Sequence, residues 1–447
     1  MEKNLTEGNT LKLIIAFCIP LVGGAIFQQF YNIVDTMIVG RFVGVDALAA
    51  VGSTGSLNFL VIGFAQGLTA GFGIPIAQAF GAKDHKLVLN TIMNSVYLTI
   101  VSAVLITTLM IFVTDHLLVI MQTPSNIIDE AYAYISIIFN GITFTLAYNL
   151  LASISRALGD SRTPLIFLVF SSILNIGLDL FMIINLKMGV QGASYATIIA
   201  QAISALLCFI YMYHKYPSLR FEREDRRINL EVDIGLIRVA LPMALQYSIT
   251  AVGTVILQTA VNSLGSDKVA AIAAAQKIQM FFNQPMDMMG ATMATFCGQN
   301  LGAKKYDRIF KGLKEAFIMV TIYAVVIFVF MRFFAKYLAL LFVEASETGI
   351  INDVSSFLIV NSAFYIILGI LFVSRNTIQG LGKSALTMFA GGAELLGRSF
   401  VSLVLVNYYG FNAILMANPI AWIGADLILI PTLISILRGY KKEMRLT

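Results

Sequence analysis

Seven ionisable residues interrupt the long apolar stretches of this chain: Asp35, Asp179, Lys277, Asp287, Glu394, Arg398 and Asp426. A charge placed in hydrocarbon costs about 3 kcal/mol or more, so each is expected to face protein or water. Asp35 is preceded at seven, four and three residues by Gln28, Tyr31 and Asn32. At 3.6 residues per turn these share one face and form a polar stripe on an otherwise apolar helix. Asp179 follows Asn175 by four residues in the segment SSILNIGLDLF, again on one face. The carboxylates either tie helices together by hydrogen bonds or form a working site. Two acids in one half with no obvious basic partner at mid-membrane favour the site. Two desolvated carboxylates near each other do not both stay charged cheaply, which makes one a proton carrier. With asparagine and threonine oxygens added, the same groups can instead ligate sodium.

The second half carries a different set. Glu394 and Arg398 are four residues apart and can pair on one helix face, whereas Lys277 and Asp287 are ten apart and do not stand side by side. A bracing ion-pair network and a substrate-facing site are both open readings of these four residues. Asp426, in the last apolar run, is the least supported of the set. The chain contains no GxxxxGK[ST] phosphate loop, so ATP hydrolysis is not expected. No polar segment is long enough for a soluble catalytic domain, and the chain is not read as an enzyme. His85, His116 and His214 lie in or near loops and form no metal cluster. Cys18, Cys208 and Cys297 sit far apart inside apolar runs, as small fillers.

The elements that hold these residues follow from composition. Of 447 residues, 58% are hydrophobic and only 12% charged, about half the charge of a soluble protein. The 34 glycines are better tolerated in membrane helices than in soluble ones. A span needs about twenty apolar residues. Such runs fall near 11–38, 47–79, 87–113, 127–156, 163–186 and 189–213, then near 234–262, 268–299, 312–334, 350–374, 384–407 and 411–437. The expected fold is therefore all-α, with twelve transmembrane helices. The second run is punctuated by Gly52, Gly55, Gly63, Gly67, Gly71, Gly73 and Pro75, so bending or close packing is expected there. The polar start MEKNLTEGNT shows no signal-peptide pattern, so the first run is expected to be retained.

Lysine and arginine set the expected orientation. With these boundaries, 23 of the 30 basic residues fall at the termini or in alternate loops on one face. They include Lys83 and Lys86; Arg220, Arg223, Arg226 and Arg227; Lys304, Lys305 and Arg308; and Lys441, Lys442 and Arg445. Arg41, Lys187, Lys268, Arg332 and Lys336 lie on the other face, and Lys277 and Arg398 fall within spans. Both termini are thus expected in the cytoplasm. The longest polar stretch, His214 to Asp233, divides the spans six and six. The expected organisation is a first lobe at 1–213, a cytoplasmic linker at 214–233 and a second lobe at 234–447.

The halves repeat. QAFGAK at 78–83 returns as QNLGAK at 299–304, an offset of 299 − 78 = 221, and the same offset carries Gly44 and Asp46 onto Gly265 and Asp267. Pro20 matches Pro242, and LGDS at 158–161 matches LGKS at 381–384, an offset of 223. Six helices per half give both halves one orientation. The implied symmetry is a two-fold axis along the membrane normal, with the path for substrate between the halves. The repeat does not extend to the acids: the offsets carry Asp35 onto Ile256 and Asp179 onto Ser402.

These motifs resemble the multidrug and toxic compound extrusion (MATE) transporters. Pro20 lies fifteen residues before Asp35. QAFGAK and QNLGAKK follow spans 2 and 8, RALGDSRTP follows span 4, IQGLGKS follows span 10, and the long polar loop sits mid-chain. The resemblance covers essentially the whole chain. It implies two six-helix lobes around a V-shaped cavity, and export of amphipathic or cationic compounds in exchange for protons or sodium. In the branch with a first-lobe coupling site, the site residues match Asp35, Asn175, Asp179 and Thr197, and the helix bend matches Pro20. The other branch couples through acids on helices 7 and 10, and no acid lies in the interior of either corresponding run here, Asp353 standing at the start of the second.

The expected function is an ion-coupled antiporter of the cell or inner membrane. It would have no cofactor beyond H⁺ or Na⁺ and would act on drug-like amphipathic cations among membrane lipids. No nucleic-acid partner is expected, and the working form would be a monomer. A lipid-linked saccharide flippase of the same superfamily would need more basic residues than Lys277 and Arg398. A receptor or scaffold would leave the buried acids and the repeat without a purpose.

Overall fold

The computed structural model describes residues 4–121, 123–217, 222, 225 and 227–444. Arg220, Arg223, Arg226 and Arg445 of the basic face lie outside the described residues. The described chain is helical throughout, with no strand assigned. The first half comprises α1 (Thr10–Phe42), α2 (Val45–Ser53), α3 (Gly55–Gly81), α4 (His85–Ile120), α5 (Ile128–Asn140), α6 (Ile142–Ala157), α7 (Arg162–Leu180) and α8 (Gly189–Lys215). The second half repeats the order as α9 (Leu230–Asn262), α10 (Ser266–Gly302), α11 (Tyr306–Ala339), α12 (Thr348–Ala363), α13 (Tyr365–Gly380), α14 (Ser384–Phe400), α15 (Val406–Tyr409) and α16 (Phe411–Glu443). Short π-helical segments, Phe181–Asn185 and Val401–Leu405, follow α7 and α14.

Among the described residues, nine helices are long and apolar enough to cross a membrane, and the bent pairs α5–α6 (48°) and α12–α13 (53°) raise the number to 11. The remaining long helix, α10, has 37 residues but carries Asp267, Lys268, Lys277 and Asp287 along its length. With α10 counted, the segments correspond to the twelve expected runs. The apolar faces look outward: Phe112 is 73% exposed and Leu396 71%. Only 17% of the most apolar window of α4 is buried. Such surface has no stable partner in water and suits lipid.

The repeated motifs turn out to be helix terminators. In both GAK motifs the lysine takes a left-handed conformation, Lys83 at φ 59° and Lys304 at φ 55°. The following amides then fold back: Asp84 N donates to Ala79 O at 3.3 Å and Lys305 N to Asn300 O at 2.8 Å. The LGD and LGK motifs do the same through glycine, Gly159 at φ 81° and Gly382 at φ 76°. Gly44 and Gly265 also lie at positive φ, just before α2 and α10. Left-handed backbone ends a helix because it satisfies the last free carbonyls while turning the chain away.

Two compact units result: Ile19–Ala244 forms the bulk of one, and Leu5–Cys18 with Leu245–Thr447 forms the other. The divisions fall inside α1 and α9, next to Pro20 and Pro242. In the first unit α3 packs on α6 and α7 on α8, and Ala131, Ile135, Ile142 and Leu146 are fully buried. The early part of α9 belongs here, where Gly71 of α3 admits it: a Cβ on Gly71 would lie 2.3 Å from Ala240 Cα. In the second unit α10 packs on α13 and α14 on α16. The segment before α1 is bound there, with Leu5 N donating to Gln299 Oε1 at 2.9 Å and Arg308 Nη2 to Leu5 O at 3.0 Å.

Candidate functional site

The first unit gathers the predicted site residues on three helices. Asn175 and Asp179 project from the last two turns of α7 and are almost fully buried, at 2% and 0% exposure. The π-helical segment that begins at Phe181 widens the turn just beyond Asp179, a distortion frequent at working sites. Thr197 comes from α8, which packs along α7. Asn175 Nδ2 donates to Thr197 Oγ1 at 3.4 Å, while Thr197 Oγ1 donates to Ala193 O at 3.0 Å.

Asp35 of α1 completes the cluster. Its carboxylate is close enough to that of Asp179 for the two to share one hydrogen bond when one of them is protonated. Tyr31 reaches Thr197 with its hydroxyl, and Tyr134 of α5 lies within electrostatic reach of both acids. Gln28 Nε2 and Asn32 Oδ1 are 3.5 Å apart, so the polar stripe on α1 is continuous. Four buried oxygens have no hydrogen-bond donor: Asp35 Oδ1, Asn175 Oδ1 and both oxygens of Asp179. Buried acceptors without donors are rare and costly. Oxygens of this kind suit a proton shared between the carboxylates, or a hard monovalent cation bound by oxygens alone. No cluster of three or more His, Cys, Asp or Glu side chains suited to a metal occurs among the described residues.

The predicted residues of the second half divide differently. Glu394 and Arg398 meet on α14, with Oε2 and Nη2 3.6 Å apart. The stronger partner of Glu394 is Arg375 of α13, whose Nη2 pairs with Oε1. Arg375 falls just past the apolar run that ends near 374, where a loop would begin. Instead α13 continues to Gly380, because the residue that stops it is Gly382, and Arg375 is only 8% exposed. The signal in the sequence was the LGK motif itself, which sets the helix end six residues past the apolar run. With its amide turned so that the oxygen faces Arg375, Gln246 of α9 accepts from Arg375 Nε and Nη1 at 3.1 Å each. Asp426 of α16, 6% exposed, lies within electrostatic reach of Arg375 and Glu394, and Asp287 within reach of Arg375. Lys277 is exposed on α10 and makes no ion pair with this group.

The proline landmark Pro20 lies inside α1, where its ring removes one backbone hydrogen bond. Outside the membrane-spanning segments, the RALGDSRTP motif forms a clasp. Asp160 accepts from Arg162 N at 3.0 Å and Thr163 N at 3.1 Å, capping α7. It also takes Lys215 Nζ and Tyr216 Oη, each at 2.6 Å, which joins the start of α7 to the end of α8. Burial alone would raise this carboxyl, but hydrogen bonds from Lys215, Thr163 and Tyr216 hold it well below the usual carboxylate range.

Comparison with known proteins identifies the family. The family model MatE matches residues 20–181 and again residues 242–404, one match per half. The probable multidrug resistance protein YpnP of Bacillus subtilis is 29% identical over 380 residues, covering 85% of this chain and 84% of its own length. The probable multidrug resistance protein YoeA of the same organism is 28% identical over 339 residues, covering 74% and 73%. A crystal structure of MATE in complex with MaL6 superposes with a TM-score of 0.91 at 24% identity, over 98% of this chain and 99% of that one, a likeness of fold. With both halves matched and multi-pass helices throughout, the chain belongs to the MatE family of membrane transporters.

Proposed function

We propose that this protein is an ion-coupled antiporter that exports amphipathic, cationic small molecules, with its coupling site at Asp35, Asn175, Asp179 and Thr197. The observation that carries the reading is the group of four donorless buried oxygens, two carboxylates among them, held on α1, α7 and α8. A bound proton or sodium ion removes the repulsion between Asp35 and Asp179 and satisfies these oxygens. The ion-loaded and empty forms therefore differ in energy, and a difference in affinity between two conformations is what lets an ion gradient drive a transport cycle. Asp35 shares α1 with Pro20, and α1 is divided between the units next to that proline. A change in the charge of Asp35 thus acts on a helix with a proline at the boundary between the units. The termini face the cytoplasm in this reading, and the entering ion moves inward as substrate leaves.

The test is transport in proteoliposomes, run once with a pH gradient alone and once with a sodium gradient alone, for the wild type and for Asp35→Asn and Asp179→Asn. The expected result is dye export driven by one of the two gradients and abolished in both variants. Gradient-driven export that survives both substitutions would sink the assignment of the site.

A further inference from the structure

The second unit holds the same scaffold with the polarity reversed. The offset of 223 that relates LGDS to LGKS carries Asn175 onto Arg398 and Asp179 onto Ser402. The offset of 221 that relates the GAK motifs carries Asn32 onto Gly253. Both α7 and α14 run into a five-residue π-helical segment, and Ser402 sits within the second of these. Where the first unit's site presents oxygens without donors, the end of α14 and the segment after it present a guanidinium N–H and a hydroxyl without partners. Asp426 Oδ1 is a buried unpartnered acceptor of the same unit.

Two guanidiniums share one carboxylate here. Glu394 gives Oε1 to Arg375 and leaves Oε2 at 3.6 Å from Arg398 Nη2. Arg375 is further occupied by the Gln246 amide oxygen, and the carboxylates of Asp426 and Asp287 act on Arg375 rather than on Arg398. Arg398, 8% exposed, keeps Nη1 buried without any hydrogen-bond partner. One helical turn later, Ser402 Oγ is likewise buried and unpartnered, at 8% exposure. Across from Arg398, α9 presents Gly253: a Cβ added there would lie 3.5 Å from Arg398 Nη1, so at this position the helix brings no side-chain acceptor to the guanidinium. A buried N–H of a charged group with no acceptor is among the costliest orphans a protein can hold.

We propose that Arg398 Nη1 and Ser402 Oγ form an anion site that takes one carboxylate or phosphate oxygen. The site lies within the second unit and does not depend on the coupling assigned to Asp35 and Asp179. A planar guanidinium edge suits a compact oxyanion, and Glu394 meets Arg398 only through Nη2 at 3.6 Å, which leaves Nη1 open to one. The source is either the acidic group of a transported organic molecule or a free inorganic anion. In the first case the transporter accepts zwitterions and organic acids as well as cations.

Trp422, the only tryptophan, reports on this region: it is buried on α16 beside Ala421, whose Cα abuts Gly397 of α14. The purified full-length protein would be titrated with sodium propionate or inorganic phosphate against a chloride background at fixed sodium and ionic strength. Trp422 fluorescence and thermal unfolding are both followed. The expected result is a saturable response, at least about tenfold weaker in Arg398→Gln, weakened in Ser402→Ala and partly kept in Arg398→Lys. A response to propionate points to organic acids, and one to phosphate alone points to an inorganic anion. No saturable change by either readout with either anion, or an unchanged affinity in Arg398→Gln, overturns the proposal.

Discussion

Single side chains here show how burial makes a polar group either a tie or a tool. Asp160 is a tie: every oxygen it has is matched by a cap amide, a lysine, a tyrosine or a threonine. Asp179 is also buried and has none of these, so burial costs these two aspartates very different amounts. Asp160 also supports a prediction. Its carboxyl is lowered in the folded state, so the charged form contributes stability above the ordinary carboxylate value of about 4. That contribution is lost as pH falls through the lower folded value. Thermal unfolding of the solubilised protein should show Asp160→Asn less stable than wild type at pH 7, with the gap closing below about pH 4. A variant as stable as wild type at neutral pH would mean that the clasp contributes nothing.

Helices in this chain are set by their ends more than by their middles. The apolar runs have few internal stops, and prolines occur inside α1, α3, α9, α10 and α16 without ending them. What ends α3 and α10 is a lysine in left-handed backbone, an arrangement costing about 1 kcal/mol that glycine would not incur. Lys304→Gly should therefore be neutral or stabilising by up to about 1 kcal/mol, and Lys304→Val destabilising, since a β-branched residue resists that conformation most. Thermal unfolding of the two variants checks the order. Equal stability would show that the α10 terminus is held by its contacts alone, such as Arg308 Nε to Asn300 Oδ1 at 3.1 Å.

At the scale of the molecule, the units and the halves of the sequence are not the same thing. Residues 5–18 pack with the second unit although they precede the first, and the early part of α9, up to Ala244, packs with the first. The paired contacts are equivalent: Cys18 meets Thr292, and Ala240 meets Gly71. Stretches on either side of the polar connector are also bound, with Asn94 Oδ1 accepting from Asn229 N at 3.0 Å. Each half alone thus lacks a segment that its own unit buries. A chain split within the polar connector should yield two fragments that accumulate and copurify when expressed together, and neither of which accumulates alone. Stable expression of either fragment by itself would contradict this interdependence.

The sequence by itself determined the class, the order of the apolar segments, the repeat, and the polar stripe from Gln28 to Asp35. All of these depend on local hydropathy, helical period and motif spacing, which need no knowledge of neighbours. It also placed Asn175 and Asp179 on one face, since four residues make about one turn. Tertiary structure alone decided that α1, α7 and α8 bring Asp35, Asp179 and Thr197 together, because contacts across helices depend on packing angles that no single helix encodes. It alone drew Arg375 into the second unit's buried charges, left Lys277 exposed, and left Arg398 Nη1 and Ser402 Oγ without a partner. Whether a buried charge is satisfied is a property of its surroundings, and those surroundings come from residues more than a hundred positions away, as Gln246 is from Arg375.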